Sequence, residues 1–152
     1  MFPFQKILCP TDFSEASLCG LKMASEMAEK FGSEVLVLYV NKPIQHLPSP
    51  QIEAADISFD PVAYEKQVSR EARAQLAAVA RFCFAEGIEP QLEVRLGHPA
   101  EEIIRFADEE KVDAIFMATH GRTGLKHIVF GSVAERVVSR ANCPVLTMRN
   151  CD

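Results

Sequence analysis

The stretch Glu34-Val-Leu-Val-Leu-Tyr-Val40 constrains the fold more than any other. It is an unbroken apolar run rich in β-branched residues, so a strand formed from it must be covered on both faces. A sheet of that kind needs helices on either side and the right-handed crossovers that place them there. The rest of the chain supplies both. Lys6-Ile-Leu-Cys-Pro10 reads as a first buried strand, Ala114 to Met117 as another, and Pro144 to Arg149 as the last. Gln91-Leu-Glu-Val-Arg-Leu96 alternates polar and apolar, which predicts a half-exposed strand at an edge.

Helical spacing fills the intervals. From Ser14 to Phe31, the residues Leu18, Leu21, Ala24, Met27, Ala28 and Phe31 recur three or four positions apart, and Gly32 follows as a left-handed stop. Pro61 opens a long helix to about Glu86, stopped by Gly87, and Pro99 sits at the first position of the next. Ser132 to Arg140 is the last, with Ser132 expected as its N-cap. Asn41 to Asp60, with Pro43, Pro48 and Pro50, has no sustained period and is expected to be a lid, a binding loop or a mobile segment. The order β-α-β-loop-α-β-α-β-α-β predicts an α/β fold in one domain spanning residues 1–152, with a doubly wound parallel sheet. If the chain winds outward over three strands and then crosses back, the strand order is 3-2-1-4-5.

Composition excludes several functions. A formal charge of −5 with no basic block argues against a nucleic acid or an anionic membrane as partner. No apolar run is long enough to span a bilayer, and the first residues lack the charged and apolar regions of a signal peptide, so a cytoplasmic protein is expected. The cysteines (Cys9, Cys19, Cys83, Cys143 and Cys151) are scattered, and reduced thiols are expected rather than a disulfide framework or a zinc site. Cys9 and Cys143 read as buried packing and Cys151 as exposed. A small anion remains compatible, because backbone amides can hold it locally.

The place for such an anion is the stretch from Met117 to Val133. An apolar strand ends, a glycine-punctuated loop follows, and Gly131-Ser132-Val133 opens a helix whose first free N–H groups would face a phosphate. In an open α/β sheet the ligand sits beyond the carboxyl ends of the strands where the winding reverses. Strands one and four would then be neighbours. Pro10-Thr11-Asp12 would face the glycine loop across one crevice, with Val40 at the same rim.

Taken together, Cys9-Pro-Thr-Asp-Phe-Ser14, Thr119-His-Gly-Arg-Thr-Gly124, Gly131-Ser-Val-Ala-Glu-Arg136 and Cys143-Pro-Val-Leu146 resemble the universal stress protein family over nearly the whole chain. The resemblance implies the 3-2-1-4-5 sheet with helices on both faces, of the adenine-nucleotide-binding type. It also implies a cytoplasmic homodimer formed through the last strand, Val145 to Arg149, and ATP or AMP as ligand, with Mg²⁺ where it accompanies ATP. The nucleotide-binding branch looks like G-x-x-G, nine residues, then G-S/T. Gly121, the nine residues from Arg122 to Phe130, and Gly131-Ser132 match it, whereas Ala118 stands at the first glycine.

On that resemblance the candidate nucleotide-binding residues are Pro10, Thr11, Asp12, Val40, Met117, Ala118, His120, Gly121, Arg122, Gly124, Gly131, Ser132 and Val133. Gly121 and Gly131 would let the loop wrap the phosphates, or serve only as turn glycines. Ser132 would offer a hydroxyl and Val133 its N–H. Thr11 and Val40 would contact the nucleoside. Asp12 has two readings: acceptor for ribose hydroxyls, or cap of the first helix with Glu15 completing a box. Arg122 and Lys126 could offset phosphate charge, or be merely solvated. No lysine follows the glycine loop as in a Walker motif, and no nucleophile is paired with a base, so at most slow ATP hydrolysis is expected. Three roles remain open: a nucleotide-dependent stress sensor or switch, an interaction module without nucleotide, and a weak ATPase.

Overall fold

A computed structural model of the chain describes residues 2–43, 60–119 and 130–149. Five strands alternate with four helices: β1 (Lys6–Thr11), α1 (Glu15–Phe31), β2 (Glu34–Asn41), α2 (Pro61–Cys83), β3 (Gln91–Leu96), α3 (Pro99–Glu110), β4 (Ala114–Ala118), α4 (Ser132–Arg140) and β5 (Val145–Met148). The strands form one parallel sheet in the order β3-β2-β1-β4-β5. The winding therefore reverses at β1, and β3 lies at an edge as its alternation requires.

The apolar run in β2 divides its residues between the two faces. Val35 and Val37 join Ile7, Cys9 and Phe116 under Leu21, Ala24 and Ala28 of α1 and Leu76 and Ala80 of α2. Leu36, Leu38 and Val40 join Leu8, Ile115 and Met117 under Ile103, Phe106 and Ala107 of α3 and Ala134 and Val137 of α4. Each strand residue thus meets a helix whichever way it points, which is why no polar residue interrupts the run. α1 lies especially close to β4. A Cβ on Gly20 would stand 3.1 Å from the Phe116 carbonyl oxygen, a main-chain atom that cannot step aside.

Helix ends follow local chemistry. Ser14 caps α1 by accepting from the Ser17 N–H, and Gly32 ends it at φ 70°, donating to the Ala28 carbonyl. Asp60 caps α2, with Pro61 behind it. α2 stops at Cys83, three residues before the expected Glu86. The cause is Phe84, which turns extended so that its ring enters the core, and Ala85, whose N–H donates to Ser25 Oγ at 3.0 Å. Gly87 (φ 87°) belongs to the turn beyond, not to the helix stop. β5 spans Val145–Met148, one residue shorter at each end than the expected Pro144 to Arg149. Most of the expected loop between Asn41 and Asp60 lies outside the described residues.

Among the described cysteines, Cys9, Cys83 and Cys143 are free thiols. Cys19 is disulfide-bonded, which corrects the expectation of reduced thiols throughout. Cys9 is fully buried, and burial pushes its thiol far above the ordinary range; Cys143 is only partly covered. Cys151 lies outside the described residues.

Two outcomes follow from this packing. Replacing Gly20 by Val should lower stability by about 1–3 kcal/mol, the range for overpacking a close contact, as read from urea denaturation; an unchanged midpoint would show that α1 does not lie against β4 this closely. Cys9 should resist iodoacetamide at pH 8 in the native protein and react once it is unfolded, as measured by peptide mass mapping.

Candidate functional site

The reversal at β1 opens the site. β1 pairs with β2 at six positions but with β4 at only Ile7↔Ala114 and Leu8↔Ile115. Beyond these, β1 continues to Thr11 and β4 to Ala118 without pairing each other, so the two strands part toward their carboxyl ends. A cavity of about 470 Å³ occupies the gap, within the usual range for small-molecule sites.

Its β1 side is a hydrogen-bonded turn. Asp12 Oδ1 accepts from the Ser14 N–H at 3.0 Å and from the Ser14 hydroxyl at 2.5 Å. Ser14, so oriented, receives the Ser17 N–H and caps α1. The reading in which Asp12 itself caps α1 with Glu15 is therefore corrected: Ser14 is the cap and Asp12 positions it. Ser17 gives its one hydroxyl proton to the Ser14 carbonyl at 2.8 Å. Its 2.8 Å contact with Thr11 must then be a bond donated by Thr11, whose oxygen also accepts the Phe13 N–H. The Thr11 hydroxyl proton is thus engaged within the protein. Phe13 takes φ 64° to complete the turn, with its ring 4.4 Å from that of Tyr39.

The opposite side is the start of α4. Gly131, not Ser132, is the N-cap, and no side chain caps the helix. Gly131 has φ −71° and ψ 156°, a conformation open to any residue, so glycine is not required there for backbone strain. Its N–H donates to the Thr119 carbonyl at 2.7 Å, and the Thr119 N–H donates to the Met148 carbonyl, which ties Thr119 and Gly131 together at the rim. The first intrahelical bond runs from Glu135 to the Gly131 carbonyl. The N–H groups of Ser132, Val133 and Ala134 therefore have no partner inside the helix, and all three residues line the cavity. The Ser132 side chain is exposed, freed from the capping role expected of it.

Of the candidate residues, Pro10, Thr11, Asp12, Val40, Met117, Ala118, Gly131, Ser132 and Val133 all border this one cavity. His120, Gly121, Arg122 and Gly124 lie outside the described residues, as does Lys126. Ala118 is the last residue of β4 and is absent from the positive-φ positions, so its departure from glycine carries no backbone strain. The cavity also has walls that sequence reading missed: Leu38 and Asn41 of β2, Lys42, Ile103 of α3, and Thr119. Ile103 had the helical spacing of a core residue, and periodicity does not distinguish a core position from a cavity wall. The rule that ligands sit at strand carboxyl ends would have pointed to Asn41. No cluster of three potential metal-ligating side chains occurs among the described residues.

Residues 3–149 match the model of the universal stress protein family. The chain belongs to that family. It is 37% identical over 148 residues to the universal stress protein MJ0531 of Methanocaldococcus jannaschii, covering 96% of this chain and 82% of the relative. The solved structure of MJ0577, a universal stress protein of the same organism, superposes with a TM-score of 0.78 at 30% identity and 97% coverage of both chains. A universal stress protein of Archaeoglobus fulgidus solved in complex with dAMP superposes at 0.54, with 25% identity and 97% and 98% coverage. Helices long and apolar enough to cross a membrane are absent among the described residues of this universal stress protein.

The turn at the end of β1 yields a direct test. Replacing Ser14 by Ala removes the α1 cap and should cost about 1 kcal/mol of stability in urea denaturation. No loss would mean that Asp12 can cap the helix in its place.

Proposed function

We propose that this universal stress protein binds an adenine nucleotide, ATP or AMP, in the cavity between β1 and β4, and acts as a nucleotide-dependent sensor or switch in a stress response. The observation that carries the reading is the trio of amides at Ser132, Val133 and Ala134 that have no partner within α4, at the positive end of that helix and bordering a nucleotide-sized cavity. Phosphates would lie at that end. The base would lie toward β2 and α3, where Leu38, Val40 and Ile103 form apolar walls. The dAMP held by the Archaeoglobus fulgidus relative supports adenine as the base.

Asp12, on the β1 side, would accept hydrogen bonds from ribose hydroxyls, since a carboxylate beside the phosphates would repel them. A Mg²⁺ accompanying ATP would be held mainly by phosphate oxygens and water. The protein would work as a cytoplasmic homodimer, pairing the half-exposed edge of β5 with its symmetry mate so that neither edge is left open.

Mass spectrometry of the purified protein with no added nucleotide tests both parts. The native spectrum should show a dimer, and the denatured supernatant should contain ATP or AMP. If the supernatant is empty and added ATP produces no thermal shift, the interaction-module reading replaces this one. A monomeric mass would remove the β5 dimer.

A further inference from the structure

We propose that Cys19 and Cys151 form a reversible disulfide, a redox-operated latch that ties the end of the chain to α1. Cys19 is disulfide-bonded, while Cys9, Cys83 and Cys143 are free thiols. Of the five cysteines in the sequence, Cys151 alone is left as its partner. Chain reach agrees with this pairing. Cys151 comes three residues after Met148, the end of β5, a span of at most about 11 Å when extended. α1 passes within that reach, because a Cβ on Gly20, the residue after Cys19, would stand 3.6 Å from Met148 Cε.

The surroundings suit a bond that opens. Cys19 lies in the second turn of α1 and is only 7% exposed, so exchange begins at the Cys151 sulfur. The Cys19 sulfur lies 3.9 Å from the Glu15 carbonyl oxygen, an acceptor ready for the thiol proton once the bond is broken. Competing thiols are protected. Burial pushes Cys9, Cys83 and Cys143 above the ordinary thiol range, so they stay protonated and unreactive. One disulfide beside three protected thiols, in the reducing compartment proposed above, fits a redox-sensing pair better than a disulfide scaffold.

The exchange balances with a dithiol as reductant. One of its thiolates attacks the Cys151 sulfur, the S–S bond breaks, and Cys19 leaves with the electron pair and takes up a proton. The second thiol of the reductant then displaces Cys151, leaving two protein thiols and one oxidised dithiol. Oxidised glutathione drives the reverse change and is itself reduced to two thiols.

Opening the latch acts where the fold is braced. The bond closes nearly the whole chain into one loop, which restricts the unfolded state strongly. It also holds the end of β5, where the Met148 carbonyl accepts the Thr119 N–H and so anchors the cavity rim. The latch needs no nucleotide, so its failure would leave the nucleotide reading standing.

The test is to equilibrate the full chain in glutathione buffers from fully reduced to fully oxidised, trap free thiols with acid and N-ethylmaleimide, and map the peptides. A linked Cys19–Cys151 peptide should rise from absent to dominant across the series and disappear when dithiothreitol is added to the native protein. Tm should be about 10 °C lower in the reduced form. Cys151→Ser, altered beyond the last strand, should melt like the reduced wild type in every buffer. A cross-link that survives dithiothreitol in the native protein would overturn the latch, as would equal melting of the two forms. Cys19 found as a thiol in oxidising buffer, or linked to any other cysteine or to a second copy, would overturn the pairing itself.

Discussion

The structure depends on a parallel sheet that cannot pair fully at the strand where its winding reverses. β1 is held by β2 along its whole length but by β4 over only two positions, because α1 leaves β1 on one face and α4 leaves β4 on the other. Every helix that follows a strand begins at the same rim. The parting strands thus leave a gap into which helix N-termini open, so the cavity is a consequence of topology before any side chain specialises it. What this chain adds is chemistry at the rim: a hydroxyl-and-carboxylate turn from Thr11 to Ser17 on one side, and an uncapped helix start on the other.

Close packing and main-chain bonds position the described parts of the rim. Gly20 lets α1 approach the β4 main chain, and the Thr119–Gly131 bond fixes the points where the long connection leaves and rejoins the fold. Elsewhere, Asp113 receives the N–H groups of both Gln5 and Lys6, securing the entry to β1 at the far end of the sheet. On the α3 face, Arg95 lies over the Phe106 ring at 4.3 Å and pairs with Glu109 at 2.7 Å; this bond raises the guanidinium's proton affinity and lowers that of the Glu109 carboxyl. Such an exposed pair contributes little energy, but the arginine covers an aromatic ring of the α3 core.

Much of this was legible in the sequence because the signals were redundant. The continuous run in β2, the alternation in β3 and the helical spacing of α1 each pointed to one placement, whereas the strand order followed from one assumed winding and from the family resemblance. The errors arose where tertiary contacts outrank local preference. α2 looked as if it should run to Gly87, yet burial of Phe84 ends it at Cys83. Ser132 is an excellent cap by type, but the bond from Gly131 to Thr119 places the cap one residue earlier. Asp12 could have capped α1 by spacing alone, and only the turn at Phe13 assigns that role to Ser14. Asn41 and Ile103 were hidden for another reason: apolar periodicity marks what is buried, not whether protein or ligand covers it.

The most direct measurement is an ¹⁵N-resolved NMR titration of the protein with ATP. An adenine nucleotide seated between β1 and β4 predicts the largest amide shifts at Ser132, Val133 and Ala134, with a second group at Thr11, Val40 and Asn41, and little change along β5. Shifts that leave the α4 amides unmoved, or that cluster on another face of the molecule, would contradict it.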